Sequence, residues 1–373
     1  MTRKSVLLQD MDVKRWYRHL AMSSEATADT YLEILGKFCD ATGLTPKDLL
    51  KLTDEEIRNT LLDYITSLEE SDYSSSYLRS IVNAVKSWLR FNNRDISINI
   101  KIKSSQPKIA QTERVPTKDE LRKILSVADV RAKAVIGLMA FSGLRPEVLG
   151  NYRGTDGLKV RDIPELEIGS SVEFVRVPAM VIVRASLSKA GHQYFTFLGE
   201  EGCEYLEDYL NYRLKQGEIL TENSPIIAPK PLSRRDRHLL TSNVSEIIRK
   251  AIRLTGYSWR PYVFRHYFDT YMLMAEANGI VIEDYRTFWM GHKGNIEHQY
   301  TTNKHRLPEN LVEDMRIKYA QAVELFLETK IRVYKPEPKQ KVITTEEIER
   351  YLEMGWEYVT TLPDGRIIVK RTR

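Results

Sequence analysis

Over the first hundred residues, hydrophobic positions recur at helical spacing, and polar capping residues mark where each helix should begin. Ser24 and Thr27 open a segment that gathers Tyr31, Leu32, Ile34, Leu35 and Phe38 on one side. Thr45 stands before Pro46, a capping residue followed by the residue best suited to a first helical turn. Thr53 with Glu56 forms a capping box ahead of Ile57, Leu61, Leu62 and Tyr64. A further helix is expected from about Ser74 to Phe91, with Leu78, Ile81, Val82, Val85, Trp88 and Leu89 on its apolar face. Arg79, Lys86 and Arg90 share the other face. A solvated amphipathic surface is the plain explanation of that basic stripe. The alternative is a helix laid along a DNA groove, because acids gather early, around Asp54 to Asp72, and the bases gather late.

The pattern changes at residues 95 to 116, where alternating Ile and Lys (Lys101, Lys103) give way to Ser, Gln and Pro, as in an extended basic linker. Thr117 with Glu120 then caps a new helix, and two helices are expected up to about Asn151, the second ending in LMAFSGLRPEVLGNY. Residues 172 to 198 alternate in the manner of strands, with a turn at Ser188-Lys189-Ala190-Gly191. Residues 201 to 216 read as helix, and so do residues 308 to 330, where Leu311, Met315, Tyr319, Val323 and Leu327 recur. A basic, proline-containing linker from Val333 to Val342 precedes a short helix and a two-stranded hairpin closed at Pro363-Asp364-Gly365. The fold class expected is mainly α with a small antiparallel β-sheet (α+β). Its expected parts are a helical domain at 1–105, a linker at 106–116, a compact domain at 117–332 and a tail at 333–373.

Composition narrows the function classes. A chain of 373 residues buries ample core, and no apolar run approaches the ~20 residues that span a bilayer. The N-terminus is charged throughout, without the apolar centre of a signal peptide. Cys39 and Cys203 lie far apart without zinc-type spacing, so they read as small apolar residues in a reducing cytosol. The net charge of +5 permits a nucleic-acid partner, and its distribution matters more than its sum. Between residues 230 and 260, Lys230, Arg234, Arg235, Arg237, Arg249, Lys250, Arg253 and Arg260 face few acids, as in a phosphate-backbone track.

The chemistry concentrates between Arg260 and Lys304. Arg265 and His266 stand in an aromatic helical run, Gly291 breaks the next helical pattern ahead of His292, and Tyr300 follows among polar neighbours. Helical spacing makes Phe264, Tyr267, Phe268, Tyr271 and Leu273 core residues, yet it leaves the order Arg, Gly-His, Tyr unexplained. That order resembles the second half of a tyrosine recombinase (integrase) active site. Tyr300 lies 35 residues after Arg265 and eight after His292, steps of the family's usual size. Gly143-Leu144-Arg145 matches the family's first catalytic arginine, with Glu147 two residues later where the family commonly has an acid at three. Lys189 matches its hairpin lysine, and Tyr262 stands where histidine usually precedes the second arginine by three. The resemblance spans roughly residues 10 to 330, and the Gly-His-Lys-Gly wording is most similar to archaeal members.

The resemblance implies a SAM-like core-binding domain and a catalytic domain closing as a C-shaped clamp on double-stranded DNA. It further implies a protein that is monomeric when free and a homo-tetramer on paired sites, acting in the cytoplasm at the nucleoid with no membrane, cofactor or metal. Arg145 and Arg265 would grip the scissile phosphate, since a guanidinium matches two phosphate oxygens at once. His292 would donate to the same oxygens, Lys189 would protonate the leaving oxygen, and Tyr300 would attack to form a 3′-phosphotyrosine. Arg79, Lys86, Arg90, Lys101, Lys103, Arg234, Arg235 and Arg237 would contact DNA. Site-specific recombination for integration or excision of a mobile element or virus leads. Tyr262, with a phenol that ordinarily titrates near 10, favours an inactive DNA-binding relative. A type IB topoisomerase shares the tyrosine chemistry but not the modular N-terminal half.

Overall fold

The computed structural model describes residues 3–71, 73–97, 99–102, 113–230, 237–330, 340–348, 352, 356–363 and 365–371. Lys103, Arg234 and Arg235 lie outside the described residues. The chain forms two compact units, Met1–Thr329 and Lys330–Arg373.

Capping side chains at Ser24, Thr45, Thr53 and Ser74 start four of the N-terminal helices where the sequence predicts, and Asp10 caps another. The N-terminal helices are α1 (Arg3–Leu7), α2 (Met11–Ser23), α3 (Glu25–Thr42), α4 (Pro46–Leu49), α5 (Asp54–Glu70) and α6 (Ser75–Phe91). Thr45 and Asp48 close one capping box, and Thr53 and Glu56 close another. Their apolar faces meet in a core of their own, where Trp16 and Trp88 pack edge to face with ring centroids 5.6 Å apart. Each buried indole N–H finds an acceptor: Trp16 donates to Ser87 Oγ at 3.1 Å and Trp88 to the Pro46 carbonyl at 2.8 Å. On α6 the expected apolar residues are all buried, while Arg79 and Arg90 are exposed and Lys86 is half-buried.

A second core is built around α8 (Val130–Ser142), which follows α7 (Lys118–Val127). Apolar residues surround α8 on all sides, so it is a central helix, with α10 (Glu200–Lys215) and α12 (Val263–Ala277) packed along it. Between α8 and α10 lie the one-turn α9 (Pro146–Leu149) and strands β1 (Leu166–Ile168), β2 (Val172–Phe174), β3 (Ala179–Val183) and β4 (Tyr194–Leu198). Helices α11 (Thr241–Leu254), α13 (Glu283–Trp289), α14 (Asn295–Thr302) and α15 (Glu309–Ala322) complete the first unit, with α13 lying on β4. In the second unit, β5 (Gln340–Ile343), β6 (Trp356–Thr361) and β7 (Ile367–Arg371) form an antiparallel sheet in the order β5-β7-β6.

Three sequence expectations are corrected. Residues 172 to 198 are not one ladder: β2 pairs with β1, which precedes that stretch, and β3 pairs with β4 from Ala179↔Leu198 to Val183↔Tyr194. The tail has three strands, because Gln340–Ile343, read as linker up to Val342, pairs with β7. So short a strand is specified by its partner more than by its own alternation. Leu273 is half exposed, since the buried stripe of α12 runs through Phe264, Phe268, Met272 and Ala275 and Leu273 projects from the opposite side.

Replacing Thr53 by alanine removes one exposed capping box and should lower unfolding stability by about 1 kcal/mol in urea denaturation. An unchanged midpoint would mean that the box contributes nothing to the bundle.

Candidate active site

The two glycine turns that the sequence singled out are joined by one side chain. Helix α8 stops at Gly143 with φ 66°, and Gly291, after α13, has φ 62°. Both positions favour glycine on backbone grounds, and both are also crowded. A Cβ on Gly143 would lie 2.5 Å from Phe268 Cδ1, and one on Gly291 would collide with the Tyr194 ring, 2.6 Å from Cζ. Arg265 sits in the first turn of α12 at 1 % exposure. Its Nη1 donates to the Gly143 carbonyl and its Nη2 to the Met290 carbonyl at 2.6 Å. One buried guanidinium thus ties together the turn leading into Arg145 and the turn leading into His292.

Arg145 caps the N-terminus of α9 with no side-chain cap bond and is half-buried. Its charge reaches Arg265, whose own pKa is pulled below the usual arginine range by burial and by Arg145. His292 is exposed at the rim, with its backbone N–H bonded to the Thr287 carbonyl at 3.1 Å. Burial of the ring, then Arg265 and Arg145, push its imidazole below 6.5. Tyr262, immediately before α12, is 37 % exposed and sets its ring edge-on to His266 at 5.2 Å.

Tyr300 is elsewhere. It lies in the middle of α14 at 5 % exposure, in a box of Phe195, Phe288 and His305 rings. Its hydroxyl accepts a hydrogen bond from Gln193 Nε2 at 3.1 Å. Burial raises its pKa, Gln193 opposes the rise, and neither arginine acts on it. Lys189 stands exposed at the tip of the β3–β4 hairpin, just before Gly191. The structure therefore brings Arg145, Arg265 and His292 within electrostatic reach of one another with Tyr262 beside Arg265, while Tyr300 is bonded to Gln193 and Lys189 lies on the exposed hairpin.

Sequence reasoning missed two residues at the start of β4, one against Tyr300 and one against Gly291. Gln193 holds the Tyr300 hydroxyl, and the Tyr194 ring lies against Gly291. The only local signal was a polar pair, His192 and Gln193, opening an otherwise apolar strand. Among the expected DNA-contacting residues, Arg79, Arg90, Lys101 and Arg237 are exposed, and Arg90 pairs with Asp95 at 3.3 Å.

The family profile described as "Phage integrase family" matches residues 114–305, more than half of the chain. The chain belongs to the phage integrase family, the tyrosine-type site-specific recombinases. Among relatives of this recombinase is Tyrosine recombinase XerA of Pyrococcus horikoshii, 29 % identical over 263 residues that cover 68 % of this chain and 81 % of the relative. The XerA of Thermococcus onnurineus is 26 % identical over 303 residues, covering 76 % and 96 %. A solved lambda integrase dimer (residues 75–356), bound to a COC′ core site, has a TM-score of 0.50 at 20 % identity, covering 80 % of this chain and 96 % of its own. The last comparison shows that the recombinase shares the lambda integrase fold.

The depressed imidazole has a testable sign. Above pH 6.5 His292 is neutral folded or unfolded, so it adds nothing to stability. As the pH falls through 6.5 the unfolded chain binds a proton first, and stability declines until the lower folded pKa is passed. NMR titration should place the His292 midpoint below 6.5 and move it upward in Arg145→Ala. A midpoint at or above 6.5 would show that the guanidinium groups do not act on it.

Proposed function

We propose that this recombinase breaks and rejoins duplex DNA through a 3′-phosphotyrosine on Tyr300, in the integration or excision of a mobile element or virus. The observation that carries the reading is the buried Arg265 guanidinium, anchored on the two turns that present Arg145 and His292. Two fixed cations and an imidazole kept neutral at pH 7 suit a phosphate whose non-bridging oxygens gain charge during in-line attack. The planar, forked guanidinium fits such oxygens two at a time.

In the cleavage step the Tyr300 oxygen attacks phosphorus and its proton leaves to His292 or water, with Tyr262 hydrogen-bonding toward the phosphate or the Tyr300 oxygen. The bond to the 5′-oxygen breaks, and Lys189 gives that oxygen a proton. Rejoining runs the same step backwards with a second 5′-hydroxyl, so the phosphodiester energy is retained. Tyr300 must first leave its aromatic box. Helix α14 is short, and Lys304 (φ 52°) and His305 (φ 63°) beyond its C-terminus hold left-handed conformations that cost non-glycine residues about 1–3 kcal/mol each. Relief of that strain favours a swing of α14, in its own subunit or toward a neighbour.

Duplex DNA is the partner proposed, held between the core-binding helices 1–105 and the catalytic domain 117–332, with a homo-tetramer on paired sites and a monomer in free solution. Arg79, Lys86, Arg90, Lys101 and Arg237 are proposed phosphate contacts. A DNA-occupying relative without cleavage draws on Tyr262 and on the boxed Tyr300.

A nicked suicide duplex separates the two readings, since a covalent adduct survives SDS and a bound complex does not. Tyr300→Phe should form no adduct while binding DNA as the parent does. Arg145→Ala should slow adduct formation by ~10²–10³-fold with a modest loss of affinity, because one phosphate contact is one of many. An adduct on Tyr300→Phe would move the nucleophile to another tyrosine, and no adduct with the parent chain would leave DNA binding alone.

A further inference from the structure

We propose that Tyr194 is a positioning residue for Arg265, its hydroxyl accepting the guanidinium N–H that the two turns and the bound phosphate leave over. The proposal rests on the cleavage reading above and names a residue outside the family motif.

Tyr194 opens β4 at 0 % exposure, and its hydroxyl oxygen has no hydrogen-bond partner. Buried hydroxyls are nearly always bonded, so an orphaned one calls for a reason. Its place in the fold supplies one. The hydroxyl-bearing end of the ring lies against Gly291, which follows Met290, the residue whose carbonyl receives Arg265 Nη2. The hydroxyl feels the charges of Arg265 and Arg145 and lies within hydrogen-bonding reach of the Arg265 guanidinium, though short of the alignment of a full bond.

The donor count completes the argument. A guanidinium carries five N–H groups. Arg265 commits one to Gly143 and one to Met290, and a bidentate grip on phosphate takes two more. The fifth would be stranded in a buried, low-dielectric pocket, where an unmet donor is costly. Tyr194 offers a buried acceptor beside it. Accepting from Arg265 would also fix the plane of the fork, which decides how well it meets two oxygens.

Plain packing is the competing account, since a phenyl ring fills the same space against Gly291. Tyr194→Phe separates them by removing the oxygen alone. Adduct formation on a nicked duplex under single-turnover conditions should slow by ~10–100-fold, the cost of a misplaced catalytic group. Duplex affinity should stay within about twofold, and the Tm should hold or rise, because deleting an unpartnered buried hydroxyl relieves a desolvation penalty. A rate equal to the parent's would overturn the assignment, and so would a loss of rate accompanied by losses of Tm and affinity, which marks a structural role. If the parent chain makes no adduct, the cleavage reading falls and this assignment with it; a cleaving parent beside an unimpaired Tyr194→Phe removes the assignment alone.

Discussion

A positive charge buried among main-chain carbonyls governs the catalytic half of this protein. Withdrawing a guanidinium from water costs several kcal/mol, and that cost must be met by directed hydrogen bonds. Arg265 meets it with the carbonyls of Gly143 and Met290, each at the end of a helix. Helix C-termini carry unsatisfied carbonyls and partial negative charge, so they are natural acceptors for a cation. The same bonds set the spacing of the turns that follow, and with it the positions of Arg145 and His292. Lysine would not serve, because one ammonium cannot reach two divergent carbonyls and keep a planar fork for a phosphate. The flanking glycines belong to the same construction: each takes a left-handed turn, and each lets an aromatic ring, Phe268 or Tyr194, approach its backbone.

The proposed nucleophile, Tyr300, rests buried among aromatic rings. In the box of Phe195, Phe288 and His305 the Tyr300 phenol is desolvated, which disfavours its ionised form. Gln193 occupies its oxygen. The cations that would lower its pKa act instead on His292 and Tyr194. In the cleavage proposed for this recombinase, movement of α14 would join the two halves of the site, and left-handed Lys304 and His305 mark where the backbone is already under strain.

Local chemistry made much of this legible beforehand. Thr45, Thr53 and Thr117 cap the helices they announce, because a capping box is complete within four residues. Gly143 and Gly291 end the elements they were expected to end, for a reason confined to their own φ angles. Leu273, β5 and the split of residues 172–198 into two ladders were misread because each depends on a distant partner. Residues at helical spacing share a side only if their angles agree, and strand pairing over tens of residues leaves no local mark.

The order Arg145, Lys189, Tyr262, Arg265, His292, Tyr300 and the helix-rich architecture were determined by the sequence alone, since caps, periodicity and motif spacing are written in neighbouring residues. Only the tertiary structure decided that three of those groups share a centre while Tyr300 rests on Gln193, and that Tyr194 lies beside the buried arginine. Those outcomes turn on which surfaces meet across more than a hundred residues of chain, from Gly143 to Arg265 and from Gln193 to Tyr300. Burial and electrostatic reach are properties of that meeting, and no stretch of residues carries them by itself.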